Sequence, residues 1–204
     1  ILNNPHNPTG KLYSKKEMVT ILKTAKKSDS FVLVDEAFID FIKNYKDYSL
    51  VQELDDFDNL FILRSLTKFF AIPGLRLGFG LTNSEIITEL EKRRDPWTVN
   101  SLAQVAGIKA LDQKDYIKKS KNIIAKERIF LYKKLRDING LKVYEPSVNF
   151  ILLKIKKGIT AAKLRTKMGK KGIIIRNCSN FRGLNDKFFR IAVKSRKENR
   201  RLLK

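Results

Sequence analysis

The sequence predicts an α/β fold: a mostly parallel sheet with crossover helices in the first half, then a small α+β domain reached through a long connecting helix. Three observations carry this. Short apolar runs alternate with stretches of helical periodicity as far as residue 94. The first such run closes on two acids, Asp35 and Glu36, the pattern of a buried parallel strand with polar groups at its carboxyl end. Beyond Pro96 the order changes to long helices followed by short strands.

The elements follow in chain order. The opening ILNNPHNPTG, with three Asn, two Pro, a Gly and the only histidine, reads as a turn-rich loop. Residues 14–28 form a helix, because Ser14 and Glu17 make an S-K-K-E capping box and Met18, Ile21, Leu22 and Ala25 share one face. FVLVDEAF, from Phe31, reads as a buried parallel strand; residues 60–63 make a second, leading into Arg64, Ser65, Leu66, Thr67 and Lys68. A third run at 77–81 precedes a helix over 84–94, and two longer helices cover 99–111 and 116–135. KVYEP, NFILLKI, GIIIR and FFRIAV read as strands around a helix over 161–170. A second capping box, S-R-K-E from Ser195 to Glu198, opens the last helix. The expected domains are residues 1–112 bearing the first sheet, 113–140 as the connecting helix, and 141–204 as the small domain.

Composition narrows the function classes. Of 204 residues, 43% are hydrophobic, an ordinary globular content. No apolar run approaches the roughly 18 residues of a membrane span, and no signal-peptide pattern is present. A single cysteine, Cys178, excludes an internal disulfide and fits a reducing cytoplasm; without a histidine nearby it reads as a structural thiol rather than a nucleophile. The net charge of +22 admits two readings. Ten Lys and Arg stand against three acids from Gln113 to Lys142, and such a stripe can be a nucleic-acid footprint. The lysines are spread over helix faces without interleaved aromatics or a zinc, helix-turn-helix or RNP pattern, which favours a solvated surface and no specific nucleic-acid partner.

Ligands of an open α/β sheet bind outside the carboxyl ends of its strands. Three features fall there: NPTG at residues 7–10, Asp35 at its strand end, and the S-L-T-K-x7-R run from Ser65 to Arg76. Singly, they are a turn, a helix cap or ion-pair partner, and a solvated lysine. Together they supply a lysine for a Schiff base, a carboxylate for a pyridinium proton, and a hydroxyl and guanidinium for a phosphate. Pyridoxal phosphate needs that set from a protein.

In this order NNPHNPTG, VDEAF, SLTKFFAIPGLRLGF and FRIAV resemble the signatures of the class I/II aminotransferase superfamily of fold-type-I pyridoxal-phosphate enzymes. The resemblance covers essentially the whole chain. It implies the C-terminal part of the pyridoxal-phosphate-dependent transferase fold, because in that superfamily the NPTG loop is preceded by much of the large domain. The expectation is therefore a piece of a longer polypeptide that works as a homodimer. The resemblance also implies roles. Lys68 would carry the cofactor and shuttle a proton, Asp35 would pair with the ring nitrogen, and Asn7 would donate to the phenolic oxygen. Ser65 and Arg76 would hold the cofactor phosphate. Arg190 matches the position that binds a substrate α-carboxylate; Arg176 matches one that helps bind the substrate phosphate in relatives acting on phosphorylated amino compounds. A surface ion pair is the plain alternative for either arginine. Phe38 stands where many relatives have a tyrosine and is read as a packing residue. No metal is implied.

Longer phrases narrow the resemblance. DEAFIDF, LRSLTKFFAIPGLRLGF, PWTVNSLAQVAG and IIIRNCSNFRGL are similar to the threonine-phosphate decarboxylases of cobalamin biosynthesis, which release CO2 from L-threonine O-3-phosphate. The histidinol-phosphate aminotransferases are the competing subfamily, usually with DEAY in place of DEAF. The reactions differ in which bond at Cα stands perpendicular to the cofactor ring, so similarity rather than local chemistry carries the choice.

Overall fold

Serine and asparagine caps and three strand registers account for the first unit, residues 1–5 and 12–119 of a computed structural model that describes all 204 residues. Strands β1 (Leu2–Asn3), β2 (Val32–Asp35) and β3 (Leu60–Ser65) run parallel, and β4 (Gly78–Leu81) lies antiparallel to β3, in the order β1-β2-β3-β4. Helix α1 (Lys15–Lys27) begins at Ser14. The Glu17 amide donates to the Ser14 hydroxyl at 3.2 Å and the Ser14 amide donates to the Glu17 carboxylate at 2.8 Å, so the predicted box closes in both directions. Met18 and Leu22 of α1 pack with Val32, Val34, Leu60 and Ile62 in one buried cluster.

Three expectations change here. Leu2 and Asn3, in the turn-rich opening, pair with Val34 and Asp35, because the turn signals begin only at Asn4-Pro5. The first two runs were read as buried strands, but the core gathers on one face: Val34 and Ile62 are fully buried while Leu63, on the alternate face, is 38% exposed. The third strand starts at Gly78 and is antiparallel. Its connection from β3 holds only the single-turn helix α2 (Leu66–Phe69) and a 3-10 turn at Pro73–Leu75. That is too little for the crossover a parallel strand requires. Helices α3 (Ser84–Arg93) and α4 (Ser101–Leu111) follow, capped by Asn83 and Asn100, whose side-chain oxygens accept from the amides of Ile86 and Ala103. Helix α5 (Lys114–Arg136) then runs on into the second unit.

That second unit comprises residues 6–11 and 120–204. Its strands β5 (Leu141–Val143), β6 (Phe150–Ile155), β7 (Arg176–Asn177) and β8 (Phe188–Ala192) make an antiparallel sheet in the order β5-β6-β8-β7. Alternation along β6 and β8 sends Ile151, Leu153, Ile155, Phe189 and Ile191 into one core, which they share with Leu131 and Leu135 of α5 and Ala161 of α6 (Ala161–Lys170). Helix α7 (Arg196–Leu202) is opened by the second capping box, between Ser195 and Glu198. GIIIR is not a strand throughout. The amides of Gly172 and Ile173 donate to the carbonyls of Gly169 and Met168, and Gly172 has φ +70°. These bonds close the end of α6, so pairing starts only at Arg176. Arg176 therefore opens its strand, where the sequence reading had it close one.

Candidate active site

Asp35 is the last residue of β2 and pairs in register with Asn3. Asn3 Nδ2 donates to its Oδ2 at 2.8 Å and the Ala37 amide to its Oδ1 at 2.8 Å. Both carboxylate oxygens are thus oriented by protein donors, and each keeps lone-pair capacity. Ser65 ends the parallel neighbour β3, two positions beyond Leu63, the partner of Asp35. The sheet therefore brings Asp35 and Ser65 to one edge. Lys68 follows in α2, where Leu66, Thr67 and Phe69 are buried and fix the turn while Lys68 is exposed. Its Nζ reaches Ser65 Oγ at 3.5 Å, the outer limit of a hydrogen bond, and no carboxylate pairs with it. Ser65 Oγ lies 2.8 Å from Thr67 Oγ1. Arg76, the other expected phosphate ligand, donates to the Pro73 carbonyl at 3.0 Å and does not bond Ser65. Its φ of +54° is unusual for a residue with a side chain.

Two further residues, Glu36 and Arg64, stand beside this edge. Glu36 is completely buried, and Arg64 Nε lies 2.8 Å from its Oε2. That contact meets the distance of an ion pair, but the N–H is not aligned as a hydrogen bond, so the attraction is Coulombic. Ser49 Oγ and the Leu50 amide donate to the same carboxylate at 2.9 and 2.8 Å, and Arg64 also reaches Ser49 and Asp40. Burial pushes the Glu36 carboxyl above its ordinary value, against the opposing pull of Arg64. The pair joins the residue after Asp35 to the residue before Ser65. The available signal was an Arg and a Glu at adjoining ends of neighbouring apolar strands.

The second unit holds the other three expected residues. The NPTG loop is tied to the β5–β6 connection: the amide and hydroxyl of Ser147 donate to the Gly10 carbonyl at 3.0 and 2.6 Å. Gly10 has φ +73°, a conformation that residues with side chains rarely adopt, so the turn favours glycine. Within that loop Asn7 Oδ1 accepts from an Arg190 Nη, which leaves its amide N–H groups to donate elsewhere. The Arg190 guanidinium lies over the Phe150 ring, 4.7 Å from the centroid, and burial lowers its pKa. Arg176 stands directly opposite Arg190 in the β7–β8 register. It reaches Asn180 at 3.3 Å and the Phe181 ring at 6.0 Å, and neither arginine is paired with a carboxylate. Like charges facing across a strand pair are destabilising, by up to roughly 1 kcal/mol. A surface ion pair is therefore not the explanation for either side chain, and the pair is suited to anions. Cys178 is fully buried behind them, its thiol pKa raised by burial.

The sequence pattern of the family Aminotransferase class I and II matches residues 1–204. The chain belongs to that family. Its members use pyridoxal phosphate. This aminotransferase-family chain is 43% identical over 199 residues to a Caldanaerobacter subterraneus protein named "Putative threonine-phosphate decarboxylase", covering 98% of this chain and 54% of that one. Its fold matches the crystal structure of the histidinol-phosphate aminotransferase from Clostridium acetobutylicum with a TM-score of 0.93 at 38% identity, covering 99% of this chain and 61% of that chain. The L-threonine-O-3-phosphate decarboxylase from Porphyromonas gingivalis matches with a TM-score of 0.86 at 27% identity, covering 98% and 61%. The chain thus spans about half the length of the curated relatives it matches. No helix in it is long and apolar enough to cross a membrane.

The residues present fit the family's cofactor. Within the first unit Asp35 offers an oriented carboxylate with spare lone pairs, Lys68 an amine without an ionic partner, and Ser65 and Thr67 two hydroxyls beside it.

Proposed function

We propose that this aminotransferase-family chain serves the pyridoxal-phosphate-dependent decarboxylation of L-threonine O-3-phosphate, yielding 1-aminopropan-2-ol phosphate and CO2. The observation that carries the substrate class is the facing pair Arg176 and Arg190, two guanidinium groups without carboxylate partners, suited to a molecule with a carboxylate and a phosphate. Pyridoxal phosphate, when bound, supplies a sink for the electron pair released as a bond at Cα breaks. The rest falls to the chain. Asp35 would hold a proton on the ring nitrogen, Asn7 would donate to the phenolic oxygen, and Ser65 and Arg76 would take the cofactor phosphate. Arg190 would bind the substrate carboxylate and Arg176 its phosphate, holding the substrate from two ends. Lys68 Nζ would deliver a proton to Cα in place of the CO2 that leaves. Work as a homodimer in the cytoplasm, within cobalamin biosynthesis, belongs to the same proposal and rests on the resemblance.

Relatives named histidinol-phosphate aminotransferase support a second reading, amino transfer to 2-oxoglutarate. The test uses a polypeptide of the relatives' length that contains these residues, given L-threonine O-3-phosphate and no keto acid. The decarboxylase turns over many times, releasing one CO2 and one amine per cycle. A reaction that stops after one equivalent and resumes only with 2-oxoglutarate decides for transamination. Borohydride reduction and peptide mapping should place the cofactor on Lys68; a different lysine overturns the assignment.

A further inference from the structure

Arg190 is aimed by a loop that is itself fastened from a distance. Residues 6–11 close on themselves: the Gly10 amide donates to the His6 carbonyl at 2.7 Å and the His6 amide to the Lys11 carbonyl at 2.8 Å. His6 Nδ1 and Thr9 Oγ1 lie 2.7 Å apart within the same turn. A turn bonded in this way moves as one piece, so whatever fastens Gly10 also places Asn7. Asn7 Oδ1 in turn accepts from Arg190, whose guanidinium rests on the Phe150 ring.

Gly10 is fastened by Ser147, and Ser147 by Arg128. A half-buried guanidinium nitrogen of Arg128 donates to the Ser147 carbonyl, a charge-assisted bond stronger than one between neutral groups. Arg128 stands on α5 three and seven residues before Leu131 and Leu135, both buried in the second core, so its base is rigid. Ser147 lies in the connection between β5 and β6, three positions before Phe150. The contacts therefore run unbroken from α5 to Arg190, all within the second unit: Arg128 to Ser147, Ser147 to Gly10, and through the turn to Asn7. Arg176 is held separately, by Asn180 at 3.3 Å and by the Phe181 ring.

We propose that Arg128 is a positioning residue for carboxylate recognition: through Ser147 and Gly10 it sets the loop whose Asn7 aims Arg190. This rests on the reading that Arg190 takes the substrate carboxylate and Arg176 the phosphate. A guanidinium–carboxylate pair is two-pronged and directional, so a displacement of about 1 Å at Asn7 removes much of its strength. A phosphate held by Arg176 does not feel that displacement. Removing Arg128 should weaken recognition of the carboxylate and spare that of the phosphate. A side chain that merely stabilised the unit would weaken both alike.

Two unreactive probes separate the ends of the substrate. The first, 4-phosphonobutyrate, carries a carboxylate and a phosphonate at the spacing of L-threonine O-3-phosphate; butylphosphonate has a methyl in place of the carboxylate. Neither has an amine to react with the cofactor. Binding is read by calorimetry on a polypeptide of the relatives' length that contains these residues, with pyridoxal phosphate bound. The parent should bind the phosphonobutyrate at least about tenfold tighter than butylphosphonate. Arg128→Met should cut that preference to about threefold or less, with butylphosphonate within about twofold of the parent. Arg128→Lys, which can still donate to the Ser147 carbonyl, should restore most of it. Ser147→Ala keeps the amide bond to Gly10 and loses the hydroxyl bond; it should lower the preference about threefold, and it decides if Arg128→Met does not fold. An Arg128→Met protein with the parent's preference overturns the proposal, as do equal losses for both probes or a Ser147→Ala protein identical to the parent. A parent without any preference overturns the reading of Arg190 and this proposal with it, an outcome visible before any variant is made.

Discussion

Replacing Arg64 with methionine removes the only cation beside a carboxylate that has no access to solvent. Glu36 is 0% exposed and Arg64 Nε stands 2.8 Å from it, with the Arg64 side chain 9% exposed. Breaking a buried pair from one side costs roughly 3–5 kcal/mol, because the remaining charge loses its compensation. Glu36 keeps two donors, Ser49 Oγ and the Leu50 amide, so the expected loss is at the lower end, about 3 kcal/mol. In a chain of this size that corresponds to roughly 6–12 °C in Tm. The pH dependence has a definite sign. Burial already raises the Glu36 carboxyl, and removing Arg64 removes a force that lowers it. A carboxyl raised in the folded state contributes stability below its unfolded value and loses it as pH rises through the folded value. The deficit of Arg64→Met is therefore largest at neutral pH and shrinks as pH falls toward the ordinary Glu value of 4.5. Adding Glu36→Gln, neutral but still able to accept from Leu50, should recover roughly half of the loss. Urea unfolding of both variants between pH 4.5 and 8 is the assay. A deficit under about 1 kcal/mol, one independent of pH, or a double variant no better than the single would refute the reasoning.

Three further perturbations probe other links. Glu198, its pKa lowered to about 2 by Lys194 and then by Ser195, contributes stability above the ordinary value that fades as pH falls toward 2. Glu198→Gln should lower the urea midpoint at pH 7 and match the parent at pH 2; solvent screening of this half-exposed group keeps the effect below about 1 kcal/mol. Ser14→Ala opens the capping box of α1 and should cost about 1 kcal/mol by urea unfolding, with no effect meaning the box is idle. Gly80→Ala would place a Cβ 2.3 Å from Phe61 Cζ, so the Phe61 ring or the strand must shift, and thermal melting should show a loss of about 1–3 kcal/mol where the strand moves. An unchanged Tm would mean that the Phe61 ring simply swings aside.

Much of this chain was legible because its signals are local. The boxes at Ser14 and Ser195 each join residues three apart, and helix α6 has the bounds its periodicity gives. Asp35 was assigned to a strand end from the apolar run before it, and it lies there. GIIIR was misread because its apolar content says strand while its backbone bonds go to the end of α6, a competition that side-chain pattern does not record. The orientation of β4 likewise depends on how little helix its connection contains.

By itself, then, the sequence determined the capped helices, the family and the chemical kinds at each expected site position, because capping, periodicity and motif spacing act over a few residues. Only the tertiary structure decided which distant groups meet. Arg176 faces Arg190 through a strand register, Asn7 accepts from Arg190 across 183 positions, and Glu36 finds Arg64 on the next strand. Such contacts exist because burial and sheet pairing bring remote segments together. Whether a buried charge is compensated, or two cations are held face to face for an anion, depends on distance in space, which separation along the chain does not encode.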